Sequence, residues 1–287
     1  MKTYKIYIGG QFPRTESGRY YTPMNKKGEI LANICLSSRK DLKNAVTAAR
    51  KAFGEWSEKT AFNRSQIVYR IAEMLEGRKE QFIAEIVKQG ASKTNAEKEV
   101  SLAIDRIVYY AGWCDKFSQV FSSVNPVSSS HFNFSVQEPM GVVGITAPQD
   151  TSLLGLVSTI LPVIVGGNTC LVLASENLPL SAITFAEVIN SSDVSGGVVN
   201  ILTGNQNELA SGFAAHMDIN AVLYAGGNTE LFTSTQNECT SNLKRVFIYE
   251  KDWYKEEGQD VYMINDFQEI KTTWHPIENI GGASSNY

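Results

Sequence analysis

Nucleophilic, redox and metal chemistry starts from cysteine and histidine, and this sequence carries four of the first and three of the second. Cys35, Cys114, Cys170 and Cys239 are scattered, with no C-x-x-C pair and no histidine close to any of them. That spacing speaks against a disulfide framework or a zinc site and for a reducing, cytoplasmic location. His131, His216 and His275 lie far apart in no metal-ligand spacing, so each reads as a surface or interface residue and no metal is expected. The other residues that could meet a ligand are glycines at turns: Gly166-Gly167-Asn168-Thr169 and Gly226-Gly227-Asn228-Thr229. The second leads into a helix, about Glu230 to Glu238, with Asn228 or Thr229 as N-cap.

The elements that would position these turns centre on Gln137 to Gly204, which reads as strand, helix, strand, helix, strand. Its apolar runs are short and nearly continuous, as in parallel strands buried on both faces. Alternation with helices of ten or more residues predicts an α/β fold, a Rossmann-like doubly wound parallel sheet with helices on both faces. Further strands are expected at Tyr4–Ile8, Ala221–Ala225 and Arg245–Tyr249. Helices are expected at Leu42–Phe53, about Asn63–Gly77, Arg78–Gly90, Glu208–Ala215 and within a long amphipathic stretch from Ala96 to Phe121. Residues 122–130 form a Ser-rich polar tip, and His131–Gln137 alternates as a strand, which together predict a protruding β arm. A last strand-like piece is Lys271-Thr272-Thr273-Trp274.

The bulk composition is that of an ordinary globular protein, with 287 residues, 43% hydrophobic and 20% charged. A net charge of −4 argues against nucleic acid or an anionic membrane as partner. The N-terminus lacks a signal-peptide run, and the most apolar stretch, Leu153 to Gly167, is too short to span a membrane and contains Pro162.

From about residue 5 to 250 the sequence resembles the aldehyde dehydrogenase superfamily. The resemblance rests on Ile8-Gly9-Gly10, Ala45 to Phe53 with Trp56, Tyr109-Tyr110-Ala111-Gly112-Trp113 and Glu138-Pro139-Met140-Gly141-Val142-Val143. It continues through Gly167-Asn168-Thr169, Pro179-Leu180-Ser181-Ala182, Gly197-Val198-Val199-Asn200 and Thr203-Gly204. Asn242-Leu243-Lys244 and the tail ending Lys271-Thr272-Thr273-Trp274-His275-Pro276 narrow it to the degenerate C-terminal half of family-sixteen aldehyde dehydrogenases. The resemblance implies a nucleotide-binding domain over residues 1–118 and 138–266, with an oligomerisation arm and C-terminal strand over 119–137 and 267–287. Only 45 residues follow Asn242 and no Gly-Gln-x-Cys occurs, so the family's catalytic domain is expected to be missing.

The same comparison implies where chemistry has been lost. The family's base position falls on Tyr249, with Glu250 one residue late and so on the other face of a strand. The oxyanion amide of the family's Pro-Trp-Asn motif is replaced in Pro148-Gln149-Asp150, and an ionised Asp150 has no donor. Cys239 lies where the family has no nucleophile. No catalytic residue is therefore assigned. For the cofactor, the ribose-binding Lys has become Leu173 while Glu176 is kept; Gly204, Gly226 and Gly227 match the turns that border NAD, and Pro148 and Gln149 border it from the first strand. Losing the Lys costs roughly 1.5–3 kcal/mol, so NAD binding is expected to be weak or lost. The function expected is that of a catalytically inactive pseudoenzyme serving as an oligomerisation or partner-binding module. Its partner would be a second copy in a homodimer or a complete aldehyde dehydrogenase, with neither nucleic acid nor membrane involved. The competing reading is an NAD-dependent oxidoreductase acting on aldehydes, alone or in such a complex.

Overall fold

The computed structural model describes residues 1–25 and 27–277. The N-terminal part opens with a small sheet of β1 (Thr3–Tyr4), β2 (Tyr20–Tyr21) and β3 (Asn33–Cys35), in the order β1-β3-β2. Four helices follow: α1 (Arg39–Glu58), α2 (Ala61–Gly77), α3 (Lys79–Lys88) and α4 (Lys93–Trp113). A short α5 (Phe117–Phe121) leads into β4 (Ser123–Asn125) and β5 (His131–Pro139). Helix α1 starts three residues before the expected Leu42. Its apolar stripe begins there, but Ser38 caps Asp41 N–H and the Asp41 carboxylate reaches back to Ser38, a complete capping box. The expected strand Tyr4–Ile8 is split between partners. Tyr4 pairs within the small sheet, whereas Tyr7 exchanges two backbone hydrogen bonds with Ile201, of 2.9 and 2.8 Å.

The core repeats strand and helix: β6 (Val142–Thr146), α6 (Leu154–Val165), β7 (Thr169–Leu173), α7 (Leu180–Asn190), β8 (Val199–Leu202), α8 (Gln206–Ala215), β9 (Ala221–Tyr224), α9 (Thr229–Cys239) and β10 (Arg245–Ile248). These strands form one five-stranded parallel sheet, in the order β10-β9-β6-β7-β8. Every residue of β6, β7, β8 and β9 is buried, and so is every residue of α6. This is the packing expected of strands covered by helices on both faces. The chain winds outward from β6 to β7 and β8, then returns to the other side of β6 with β9 and β10. The order reverses between β6 and β9, where an α/β sheet leaves a crevice beyond its strand ends.

After β10 the chain passes through a 3-10 turn (Glu256–Gly258) and α10 (Tyr262–Asn265) and enters β11 (Gln268–Pro276). Strand β11 runs antiparallel to β5 through nine residue pairs, from Gln268 opposite Pro139 to Pro276 opposite His131. With β4 on the far side of β5 they make the arm, in the order β11-β5-β4. The strand expected at Lys271–Trp274 is thus longer at both ends, and residues 278–287 of the expected tail lie outside the described residues. Among the described residues no helix is long and apolar enough to cross a membrane.

Candidate functional site

The crevice at the β6–β9 switch is a cleft of about 350 Å³ lined by Gln149 and Asp150 beyond β6, Ala225, Gly226 and Gly227 beyond β9, and Tyr249, Glu250, Lys251 and Trp253 beyond β10. Of the residues expected to border a cofactor, it gathers Gln149, Gly226 and Gly227. Glu176 and Gly204 stand beyond β7 and β8, one and two strands away, and Pro148 faces inward: a Cβ on Gly155 would meet the Pro148 ring at 2.7 Å.

The polar groups around this crevice are largely committed to one another. Gln149 donates from Nε2 to the Ala147 carbonyl at 2.8 Å and accepts from the Glu176 N–H at 2.8 Å, closing the gap between the loops after β6 and β7. The Glu176 carboxylate accepts from Asn205 Nδ2 at 3.0 Å on one oxygen and from the Gln206 N–H at 3.3 Å on the other. It therefore serves the start of α8, where a negative charge is favourable. Leu173, where a ribose-binding Lys was expected, is fully buried in β7. Gly204 has φ +149°, and a Cβ there would lie 3.2 Å from the Ser37 amide nitrogen, so the protein's own backbone requires this glycine. At Gly226 a Cβ would meet Gln206 Oε1 at 2.5 Å and the Tyr224 hydroxyl at 2.9 Å. Of Gly204, Gly226 and Gly227, the last alone faces open space.

Helix N-termini offer free N–H groups to anions, and here they are partly used. At α9, Asn228 is the N-cap and accepts from the Leu231 N–H at 3.1 Å, while the Asn228 N–H donates to the buried Tyr224 hydroxyl at 3.3 Å. Glu230 adds a carboxylate to that first turn. At α6 two side chains do the capping: Thr151 Oγ1 accepts from the Gly155 N–H at 3.0 Å, and the buried Glu99 Oε1, carried on α4, accepts from the N–H groups of Ser152, Leu153 and Leu154 at 2.9, 2.8 and 3.2 Å. Its other oxygen accepts from the Tyr254 hydroxyl at 3.2 Å.

The segment after β10 walls one side of the crevice. Trp253 is only 3% exposed. Arg106, buried on α4, holds the segment by donating to the Trp253 carbonyl at 3.1 Å and to the Gly258 carbonyl, and it also reaches Ser158 Oγ at 2.8 Å. Tyr249 is buried and donates to Asp266 at 2.6 Å. Burial and the neighbouring Asp266 push its phenol well above the ordinary tyrosine range. Glu250 is exposed at the rim. Glu99, Arg106 and Trp253 were not singled out from the sequence. The legible signal was on α4, where Glu99, Ala103, Arg106 and Tyr110 follow helical spacing and put two charges on the buried stripe.

The thiols are remote from any such chemistry. All four cysteines are free and buried. Burial pushes the Cys114 thiol up to about 12 and raises Cys170 and Cys239 as well. Cys239 ends α9, 1% exposed. Among the described residues no group of His, Cys, Asp and Glu could hold a metal ion.

Tested against a nicotinamide dinucleotide, the residues present fit poorly. Glu176, expected to meet the ribose, is bonded to the start of α8, the position expected to supply a Lys is the buried Leu173, and Gln206 and Tyr224 crowd the turn before α9.

A model of the aldehyde dehydrogenase family matches residues 13–249. Mouse cytosolic 10-formyltetrahydrofolate dehydrogenase is 31% identical over 249 residues, 85% of this chain but 28% of that protein. An aldehyde dehydrogenase of Aspergillus niger is 32% identical over 245 residues, 84% of this chain and 48% of that one. The NAD+ complex of the aldehyde dehydrogenase from Bacillus cereus superposes with a TM-score of 0.82 at 26% identity, covering 86% of this chain and 50% of the other. The chain thus spans about half the length of these relatives, or less.

Proposed function

The chain belongs to the aldehyde dehydrogenase family, and from that premise we propose that it acts by association, as a pseudoenzyme that does not itself oxidise aldehydes. The observation that carries this reading is the state of the thiols: none is exposed, and burial holds three of them in the protonated form, whereas covalent aldehyde oxidation needs an accessible thiolate. Two further positions support it. Tyr249, at the family's base position, is locked to Asp266, and Asp150 offers a carboxylate where an oxyanion needs a donor.

In this reading the chain corresponds to the degenerate C-terminal half of family-sixteen enzymes. The segment from Tyr249 to Phe267 takes the chain straight from the core sheet into the arm, at the point where the family inserts its catalytic domain. NAD binding is weak or lost, and what remains is a scaffold that presents an arm to a second copy or to a complete aldehyde dehydrogenase.

Aldehyde-dependent NADH formation by the purified chain is the direct test. The expected rate is indistinguishable from buffer. A rate that survives Cys239→Ala but is abolished by Asp150→Ala would replace this reading with that of a working oxidoreductase. Titration calorimetry with NAD is expected to give no saturating heat below millimolar concentration.

A further inference from the structure

In an open α/β sheet a ligand lies beyond the carboxyl ends of the strands. In this chain that rim is occupied by the protein's own side chains. Gln149, after β6, donates to the Ala147 carbonyl and accepts from the N–H of Glu176, after β7. Ser175 Oγ donates to the Gln149 carbonyl at 3.5 Å and accepts from the Leu178 N–H at 3.0 Å. The Tyr21 hydroxyl, from β2, donates to the Glu176 carbonyl at 3.4 Å. The Glu176 carboxylate accepts in turn from Asn205 and Gln206, after β8. Gln206 Oε1 accepts at 3.5 Å from the hydroxyl of Tyr224, at the end of β9, and that hydroxyl accepts from the Asn228 N–H. One hydrogen-bonded series thus links the loops after β6, β7, β8 and β9.

The series separates two parts that a dinucleotide would have to touch together. The crevice lies between the loop after β6 and the loops after β9 and β10, on one side of β6. Glu176 lies on the other side, beyond β7. Two glutamines stand between them. Gln149 bridges the loops after β6 and β7. Gln206, 9% exposed, sits against Gly226, where an added Cβ would come within 2.5 Å of its Oε1. A dinucleotide would have to break the Gln149 bridge and displace Gln206 before it gained anything from Glu176, and each polar group it displaced would need a new partner. The crevice that remains is about 350 Å³, and neither Glu176 nor Gly204 lines it.

We propose that the chain closes its own dinucleotide groove, and that Gln149 and Gln206 are the residues that exclude the ligand. This rests on the reading above that the chain holds NAD weakly or not at all, and it names the cause as a fence of side chains rather than a missing contact. A missing contact has to be put back before binding returns; a fence has only to be shortened. Truncating Gln149 opens the gap between the loops after β6 and β7. Truncating Gln206 clears the space beside Gly226, at the turn into α9, where phosphates would approach a helix N-terminus. The Asn205 amide and the Gln206 N–H still bond Glu176 after both truncations, so the start of α8 keeps its partners. A carboxylate has about four lone-pair sites, so Glu176 can serve α8 and still accept from a sugar hydroxyl.

Titration calorimetry with NAD tests this on wild type, on Gln149→Ala and on the double variant Gln149→Ala with Gln206→Ala, each checked for unchanged helical circular dichroism. The double variant should bind saturably below millimolar concentration, at least about tenfold tighter than wild type, because two hydrogen-bonded obstacles are gone. Adding Glu176→Gln should weaken that gained binding by about tenfold, which locates it in the groove. Gln149 is half-buried in a loop, so the single variant carries the test if the double one does not fold, and it should already give a saturating heat that wild type lacks. Folded variants that bind no better than wild type overturn the fence and leave the association reading standing. A gain indifferent to Glu176→Gln puts the ligand elsewhere and overturns the fence as well. Wild type that saturates at micromolar NAD overturns both the fence and the reading that NAD binding is lost.

Discussion

Cys114 and Cys170 are packing residues with high thiol pKa values, and Cys239 closes a helix out of contact with solvent. Native protein should therefore react with no equivalent of a thiol reagent at a rate near that of free cysteine, and with four after denaturation. One rapidly alkylated native thiol would reopen nucleophilic chemistry. Glu85 makes a second residue-level test. Tyr4 and Thr184 both donate to its Oε1 at 2.8 Å, but Oε2 is buried without a partner. Desolvation raises its pKa above the ordinary 4.5, against the opposing hydrogen bonds and Lys2, with Glu187 adding to the rise. A carboxyl raised in the folded state contributes most below its unfolded pKa and loses that contribution as pH rises through the folded value. As pH rises above the ordinary carboxyl range and through the raised folded value, wild type should lose stability relative to Glu85→Gln, measured as urea midpoints. A gap that stays constant would count against the shift. Glu85 was not legible in advance, because nothing in its local sequence separates it from the solvated carboxylates around it. Leu173 and Asp150 stand out in the sequence only through the family resemblance, at motif positions where it expects a Lys and an amide; the structure buries the first in β7 and sets the second in the crevice.

Helix α6 starts at Leu154; Thr151 just before it takes the Gly155 N–H, but the amides of Ser152, Leu153 and Leu154 are served by Glu99 from α4. Removing that carboxylate strands three buried N–H groups and frees the Tyr254 hydroxyl. Glu99→Ala should cost about 2–3 kcal/mol, and Glu99→Gln, which keeps an acceptor, about 1 kcal/mol, both read from denaturant unfolding. Equal losses would mean that packing, not capping, is the function of this side chain. Local patterns and global contacts divide here. The core strands and helices were legible as apolar runs between glycine turns, and the Asn228 cap was legible from its own neighbours. Element ends were less so: α4 stops at Trp113 and α5 restarts at Phe117, where amphipathic spacing runs on without interruption. A cap supplied from another helix, as at α6, leaves no mark beside the helix it serves. The segment from Tyr249 to Phe267 is legible only in its polar and aromatic character, because what orders it is Arg106, far away in sequence.

At the scale of the whole molecule, one buried residue joins the arm to the core. Asn168, fully buried between α6 and β7, accepts from the Gly141 N–H at 2.9 Å and donates to the Phe267 carbonyl at 2.8 Å. It fixes the root of β11 to the start of β6, so the arm's direction is set by the core sheet. Beyond that root the arm has little apolar burial: Val124, Phe132, Ile270 and Trp274 are all exposed. Regions with few buried contacts open locally, below the free energy of global unfolding. Amide exchange should then divide by geometry. Amides of β6 and β7 should exchange only on global unfolding, and those of Lys271 and Thr273, bonded to β5, through arm opening. The Ile270, Thr272 and Trp274 amides alternate with these, point away from β5 and report on whether a second copy covers this edge. In a lone chain they face solvent and exchange fastest; across a paired β11 edge they should match Lys271 and Thr273 and lose that protection on dilution. Outward amides that exchange freely at every concentration, while the chain still dimerises, would move the interface off this edge and leave the exposed apolar face of β4 and β5 to carry it.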